Sequence, residues 1–352
     1  MSSLEPQSYY AHDAFNPSRI PKQEDALPRS FLHKMTGSRL PWGSTKEVAP
    51  IRIMEDPTPE NMRFWEDQKR KKNEMKANGT YVPRPLEHLE LHFKHDHEVI
   101  RHAQLPFRSQ FWLFLKDGGK WLTIMLIPIL ILTHLTIMYS SGETALEFTS
   151  DLSFYSWAIG VPLTCWAIGH IVINNFPKFW FRPPAGPLWE LNRRTGLLKI
   201  FNYKNFKSQG KIEEVEAPFY EFDAYIITSP DRQGIPMNGL SLAHRYRDIG
   251  INFNDLIAPD NTTQQPCALW DFLQNFMDIS RPLPDIPAHE PYRHLDPVTA
   301  SEDKKIGRKA RYWIDMENDI FNTKVKEMLA RIDTIDTFSR QNIMALHVKY
   351  AD

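Results

Sequence analysis

Three histidines, His88, His92 and His95, lie in the stretch LEHLELHFKHDHEVIRH at spacings of four and three residues. The pattern of this stretch predicts a helix, on which the three imidazoles share one face. Two imidazoles one turn apart can bind a divalent metal, but a catalytic centre also needs ligands from another element and a second shell of support. The sequence holds no second cluster of histidines and carboxylates. The pattern therefore favours a solvated helix face over a metal site, and we expect no cofactor.

Other catalytic motifs are equally weak. The sequence GLSLA, residues 239–243, approaches a nucleophile elbow, but Ala243 replaces the last glycine and the context is a strand after a loop. The chain contains no glycine-rich phosphate loop, paired CxxC or HExxH motif. Its two cysteines, Cys165 and Cys267, cannot form a disulfide framework and lack the spacing of a zinc site. The sequence predicts that the protein is not an enzyme.

Two long apolar runs are the dominant elements of the chain. Residues 121–139 contain no charged residue, and residues 154–176 repeat this property. Each run matches the roughly 20 residues that cross a hydrocarbon core of about 30 Å. We predict a transmembrane helical hairpin over 121–176 with a short loop at 140–153, because buried helices of soluble proteins seldom run uncharged for so long. Aromatic residues that can anchor the spans at the membrane interfaces are Trp121, Tyr139, Phe154, Tyr155, Trp157, Phe179 and Trp180.

Charge asymmetry predicts the orientation of this hairpin. The strip SSGETALEFTSDL, residues 140–152, has three carboxylates and no lysine or arginine, whereas both outer flanks of the hairpin are basic. Because an excess of Lys and Arg marks the cytoplasmic side, both termini are expected in the cytoplasm. The first 30 residues lack a basic head followed by an apolar core, so we expect no cleavable signal peptide.

Two ionisable residues, His134 and His170, lie within the predicted spans and are functional candidates by default. Counted along each helix at about 1.5 Å per residue, they are not level, and His170 is expected nearer the height of Pro128. The spans contain no Asp, Glu, Lys or Arg, which removes the usual parts of a proton relay. Small residues that permit close helix contact, within the hairpin or in a homo-oligomer, are Gly160, Thr164, Cys165 and Gly169.

The remaining sequence predicts an α+β membrane protein. We expect a Pro-rich extended arm over 1–60, cytoplasmic and juxtamembrane helices over 61–120, and a C-terminal helical region over 301–352. Residues 177–300 are expected to form a small cytoplasmic antiparallel β domain with one amphipathic helix. Its pleckstrin-homology-like outline is an analogy of layout. A hairpin with its turn at Arg193-Arg194-Thr195-Gly196 opens this domain.

Charge restricts the partners of the chain. The 42 Lys and Arg nearly balance the 43 Asp and Glu, so no global charge recruits nucleic acid. A local basic loop, predicted over 301–311, would either contact anionic lipid or face solvent. Its residues are Lys304, Lys305, Arg308, Lys309 and Arg311. The expected partners are thus the lipid bilayer and another protein.

Several blocks between about Phe181 and Arg311 resemble a family of bacterial two-span membrane proteins often encoded beside type VI secretion effectors. The blocks are PLWELNRRTGLLKIF, ALWDFLQNFMD and LPDIPAHEPYRHLDP, with the later RKARYW. The resemblance implies an immunity or accessory protein of the bacterial inner membrane, whose protein partner is a cognate toxin or a secretion component. It implies no residue-level function. The alternative is a non-enzymatic membrane-anchored scaffold or regulator of a secretion system.

Overall fold

The computed structural model describes residues 9–26, 37–83, 86–87, 89–141 and 148–350. The chain divides into two compact units. The first unit comprises Met1–Thr80, Phe93–His102 and Pro187–Asp352, and the second comprises Tyr81–His92 and Ala103–Gly186. Segments that lie on opposite sides of the apolar hairpin in sequence therefore fold together.

Nine helices longer than a 3₁₀ turn and nine strands occur in the described residues. The helices are α1 (Ile51–Glu55), α2 (Pro59–Ala77), α3 (Phe107–Ser141), α4 (Phe148–Asn175), α5 (Pro177–Trp180), α6 (Phe206–Gln209), α7 (Gln264–Met277), α8 (Pro297–Ile306) and α9 (Asn318–Asp333). The strands are β1 (Gly37–Arg39), β2 (Lys94–His95), β3 (Val99–His102), β4 (Trp189–Asn192), β5 (Leu197–Asn202), β6 (Glu213–Pro218), β7 (Phe222–Pro230), β8 (Pro236–His244) and β9 (Gly250–Asn252).

The strands form two antiparallel sheets in the first unit, with orders β1-β7-β8-β9 and β2-β3-β4-β5-β6. The β-hairpin predicted with its turn at residues 193–196 is confirmed: β4 pairs with β5, and Gly196 in the turn has a φ of +72°. A Cβ atom there would lie 2.6 Å from the carbonyl oxygen of Asp13, so glycine satisfies both the backbone angle and the close approach. The α+β class is confirmed. A pleckstrin-homology-like outline is not confirmed, since three strands precede the apolar hairpin.

The segment predicted as an extended arm belongs to the core of the first unit. Strand β1 pairs with β7, and Trp42 is fully buried. The Trp42 ring centroid lies 4.7 Å from that of Trp270 and 5.1 Å from that of Phe219, and its indole nitrogen donates to Asp223. The prolines of this segment therefore shape a chain that covers the core, because apolar side chains between them are buried on folding.

The amphipathic helix predicted in this domain corresponds to α7, and its polar face is covered as well, because every residue from Pro266 to Met277 is buried. Its polar side chains accept hydrogen bonds from the amino-terminal segment that covers the core. The backbone amide of Gly43 donates to Gln274 at 2.8 Å, and that of Lys46 donates to Asp271 at 2.9 Å. A buried polar group is tolerated when it is hydrogen-bonded, so the amino-terminal segment allows the helix to be buried on all sides.

The helix predicted over residues 86–102 was wrong in its described part. Lys94–His95 and Val99–His102 form strands β2 and β3, and β3 pairs with β4. Val99 and Ile100 are buried in this pairing. The gain from burying these β-branched side chains against a distant strand outweighs the local helical spacing. Of the helices expected over 61–120, the first is present as α2, which begins at Pro59 and ends at Ala77.

The carboxy-terminal region also departs from its prediction in part. Most of the predicted basic loop lies in helix α8 and in the turn after it. The apolar side chains of α9 lie on two sides: Val325 and Ile332 are buried, whereas Ile320 and Leu329 are exposed. Packing within the first unit therefore accounts for one side of α9.

The second unit contains two helices that are long and apolar enough to cross a membrane, by length and composition: Phe107–Ser140 and Ser156–Asn175. Their most apolar windows are only 6% and 11% buried. The core helix of a soluble protein would bury most of such a surface, because large exposed apolar patches are rare in water. The exposure of these helices therefore supports a membrane association.

Helices α3 and α4 meet through glycines, as the small-residue spacing predicted for packing within the hairpin. A Cβ atom on Gly169 would lie 2.5 Å from the backbone nitrogen of Lys116, and one on Gly119 would lie 2.7 Å from that of Trp166. Gly160 has no such neighbour within 4 Å among the described residues. This crossing places His170 next to the level of Lys116. The expected proximity to Pro128 was wrong, since Pro128 lies about 18 Å further along α3 at 1.5 Å per residue.

Candidate functional site

Helix α2 is attached to the first unit mainly by its first turns. Thr58 caps it by accepting a hydrogen bond from the backbone amide of Asn61 at 3.2 Å, and Pro59 and Met62 are its only buried residues. Arg311 holds the next turn by an ion pair with Glu66 at 2.8 Å. The remaining turns carry charged side chains and stand beside the body of the unit. The helix thereby forms one wall of a cleft.

This α2 cleft has a volume of about 1410 Å³. Its floor is apolar and buried, and it includes Met62, Ile100, Phe272 and Ile314. Other residues that line it are Arg52, Ile53, Asp56, Pro57, Arg63, Trp65, Glu66, Asp67, Lys69, Arg70, Asn73, Glu74, Phe93, His95, His102, Asp255, Leu256, Pro287, Ala288, Pro291, Tyr292 and Arg311. An apolar floor under a charged wall suits an amphipathic ligand or protein segment.

Two histidines from distant parts of the chain meet at the wall of the cleft. The Nε2 atoms of His95 and His289 lie 3.1 Å apart, and Nδ1 of His289 faces the carbonyl oxygen of Pro284 at 3.0 Å. Since a carbonyl can only accept, His289 carries its proton on Nδ1, and its Nε2 accepts from the Nε2–H of His95. Burial lowers the pKa of His95 to about 4 and lowers that of His289 well below its usual value. The pair is therefore neutral at physiological pH.

His102 is the polar group of the cleft with the least protein support. Its ring stacks on Trp189 with centroids 5.6 Å apart, and neither ring nitrogen has a hydrogen-bond partner among the described residues. Burial lowers the pKa of His102, and the charge of Asp255 partly opposes this. A buried polar group without a partner costs about 1–3 kcal/mol, so a bound group that hydrogen-bonds this imidazole would gain that energy.

The rim of the cleft exposes two large aromatic side chains. Trp65 is 52% exposed and Phe93 is 57% exposed. Arg63 and Lys69 lie on the same wall and form no ion pair within the described part of the chain. Exposed aromatic and arginine side chains beside a recess are typical of protein contact surfaces.

The three histidines that were considered for metal binding do not form a helical face. His88 lies outside the described residues. His92 has a φ of 54° and lies near Glu90, with 3.5 Å between Nδ1 and the carboxylate, while His95 is in strand β2. In the described ranges no group of three or more His, Cys, Asp or Glu is arranged to hold a metal. The partner of His95 is His289, which lies in the block LPDIPAHEPYRHLDP. The sequence of this block indicated a family resemblance and not a candidate site.

The predicted membrane anchors lie on the second unit. Trp121, Tyr139, Trp157, Phe179 and Trp180 are exposed, whereas the side chains of Phe154 and Tyr155 lie outside the described set.

The two histidines of the predicted spans occupy different surroundings. His134 is half-buried on α3. His170 is exposed on α4, and its Nε2 accepts from the side-chain amide of Asn174 at 2.9 Å.

The predicted lipid-facing basic residues have separate roles in the structure. Arg308 forms ion pairs with Asp285 at 2.8 Å and with Glu290 at 2.7 Å. Arg311 pairs with Asp315 at 3.1 Å in addition to Glu66. These two arginines link elements of the first unit. Lys304, Lys305 and Lys309 are exposed, and Lys305 also approaches Glu302 at 3.4 Å.

Buried charged and nucleophilic groups elsewhere in the first unit hold the fold together. Arg193 pairs with Asp296, and both side chains are fully buried. Arg193 also donates to the carbonyl oxygens of Phe276 and Asp278. The hydroxyl of Ser241, in the GLSLA sequence, donates to the carbonyl of Ile251 within the sheet at 2.8 Å, which differs from an exposed nucleophile at a strand-to-helix turn.

Comparison of the chain with protein-family models, with curated proteins and with solved structures found no match.

Proposed function

We propose that this chain is a non-enzymatic, membrane-anchored binding protein that acts as an immunity protein against a membrane-acting, pore-forming type VI secretion effector. The α2 cleft is the observation that supports a binding role, since it combines an apolar buried floor, exposed aromatic side chains and the imidazole of His102, which has no hydrogen-bond partner among the described residues. The secretion setting rests on the sequence resemblance.

The surroundings of the polar groups favour binding over catalysis. The neutral pair of His95 and His289 is not hydrogen-bonded to a serine or cysteine among the described residues, and such a contact is what activates a nucleophile. The buried ion pairs connect elements of the fold. A protein that neutralises a pore-forming toxin needs a position in the membrane and a specific surface, and it needs no chemistry of its own.

The proposed topology follows from charge and length. Basic flanks on both outer ends of the hairpin favour the cytoplasm for both termini, and the bacterial inner membrane is the proposed location. In this arrangement the strip at 140–152 is the only outward-facing part between the spans, which is too short for a folded receptor domain. The cognate toxin would be recognised by the α2 cleft, the spans or both.

A scaffold or regulator of a secretion system is the second candidate. Its partner would also bind in the α2 cleft, because a volume of about 1410 Å³ exceeds the roughly 300–1,000 Å³ of small-molecule pockets and suits a segment of another protein.

The test measures membrane potential in bacteria that express the neighbouring large open reading frame directed to the periplasm. The full chain should prevent depolarisation. The variant Trp65→Ala with Phe93→Ala, which removes the two exposed rim aromatics, should lose protection. Phe64→Ala is the matched control, because Phe64 is 59% exposed on the same helix and does not line the cleft.

Two outcomes would separate the candidates. Equal depolarisation with and without the full chain would overturn the immunity role and favour the scaffold. Protection that survives the double substitution, but is lost when residues 121–176 are replaced by an unrelated hairpin, would move recognition from the cleft to the spans.

A further inference from the structure

One end of the hairpin in the second unit carries polar side chains, and the height of Lys116 and His170 is called its polar level. This level is independent of the proposed toxin contact. Gly169 abuts the backbone of Lys116, and Gly119 abuts that of Trp166. Because the helices touch at these points, Lys116 on α3 lies at about the same height as His170 on α4, and Lys120 lies about 6 Å, one helical turn, further along α3. Helix geometry places Asn174 one turn beyond His170.

The length of both helices places this level at a membrane boundary. At 1.5 Å per residue, the rise from Lys116 to Ser141 at the end of α3 is about 38 Å, and the rise from Gly169 back to Phe148 at the start of α4 is about 32 Å. Both helices are therefore long enough to cross a hydrocarbon core of about 30 Å from this level. The polar level then lies where phospholipid headgroups begin.

The charge at this end of the hairpin is strongly positive. Residues 103–120 and 166–186 contain Arg108, Lys116, Lys120, Lys178 and Arg182, and Asp117 is their single carboxylate. Lys120 is exposed and Lys116 is half-buried. Neither lysine forms an ion pair with a carboxylate in the described part of the chain.

His170 contributes a directed donor. Its Nε2 faces the side-chain amide of Asn174 at 2.9 Å, and an amide NH₂ group can only donate. When Nε2 accepts this bond, the neutral imidazole carries its proton on Nδ1, which is then free to donate to an anion. Two lysines and one imidazole N–H donor therefore lie within about two helical turns of one another along the hairpin.

We propose that Lys116, Lys120 and His170 form a headgroup site for an anionic phospholipid. The phosphate would accept hydrogen bonds from the two ammonium groups and from Nδ1 of His170. The acyl chains would lie on the exposed apolar side chains next to this level, which include Phe114 at 71% and Trp121 at 62% exposure. These side chains favour a lipid over soluble phosphate, because free phosphate gains nothing from apolar contact.

The experiment uses the purified full chain in nanodiscs that contain phosphatidylcholine with or without phosphatidylglycerol. Phospholipid that remains bound after transfer to detergent is counted by native mass spectrometry. The wild type should retain phosphatidylglycerol selectively. Lys116→Gln with Lys120→Gln should weaken retention roughly thirtyfold, as expected for two basic contacts of about 1 kcal/mol each at a membrane surface. His170→Gln should weaken it less, since it removes one neutral donor.

The matched control is Lys304→Gln with Lys309→Gln, which removes two exposed charges from the first unit and should leave retention unchanged. An equal loss in this control, or full retention by the Lys116 and Lys120 variant, would overturn the proposal. Displacement of the lipid by millimolar inorganic phosphate would overturn the choice of a lipid as ligand. Thermal unfolding of each variant verifies that the changes leave the fold intact, and none of these outcomes depends on protection against a toxin.

Discussion

The two units contain similar aromatic side chains and place them in opposite surroundings. Trp42 in the first unit is fully buried, whereas Trp121 in the second is 62% exposed. The first unit buries apolar groups against one another from three separate chain segments. The hairpin joins its helices through glycine contacts and leaves its apolar faces outward. Water therefore stabilises the first unit through the hydrophobic effect, whereas the second unit relies on close backbone packing between its two helices.

The largest expected effect is the difference in the free energy of unfolding between variants at these two tryptophans. Trp42→Ala should lower the free energy of unfolding of the first unit by about 3–5 kcal/mol, because it leaves a cavity among buried rings. Trp121→Ala should change it by less than about 0.5 kcal/mol. Pulse proteolysis across a urea gradient, with the full chain in detergent, measures both. Similar losses from the two substitutions would mean that the burial contrast does not govern stability.

A second prediction uses pH. Burial lowers the pKa of His95 and of His244 to about 4, whereas both titrate near 6.5 in the unfolded chain. Between pH 6.5 and 4 the unfolded state therefore binds more protons, so the stability of the first unit is full above this range and falls as the pH is lowered through it. For His95 the full loss is of the order of 3 kcal/mol.

Urea unfolding at several pH values tests this expectation. His95→Gln should flatten the dependence on pH, and His12→Gln should not, because the side chain of His12 is fully exposed. A wild-type stability that is constant between pH 7 and 4 would contradict a neutral buried histidine pair.

The smallest predicted effect concerns the hairpin. Gly169→Leu forces side-chain atoms against the backbone of Lys116 and should destabilise the helix pair by about 1–3 kcal/mol. Gly160→Leu is the control, since a Cβ there meets no described atom within 4 Å. Unfolding in a titration with sodium dodecyl sulfate compares the two. Equal behaviour would show that the glycine crossing does not hold the hairpin together.

The sequence predicted features that depend on neighbouring residues. The RRTG turn, helix α2 and the paired apolar helices all appear close to their expected positions. The secondary-structure prediction failed for strands β2 and β3, because β3 pairs with β4 as well as with β2, and β4 lies beyond the apolar hairpin in sequence. The cleft was unpredictable for the same reason: its lining comes from residues between Arg52 and Ile314.

Sequence alone determined the apolar helices and their charge asymmetry, since length, hydropathy and flanking charge are local properties that no distant contact alters. Tertiary structure decided which polar groups meet. It joined His95 to His289, gave the polar face of α7 partners from residues 43–46, and placed His170 beside the level of Lys116. Each outcome depends on packing between segments far apart in the chain, and spacing along a sequence carries no information about the register of such contacts.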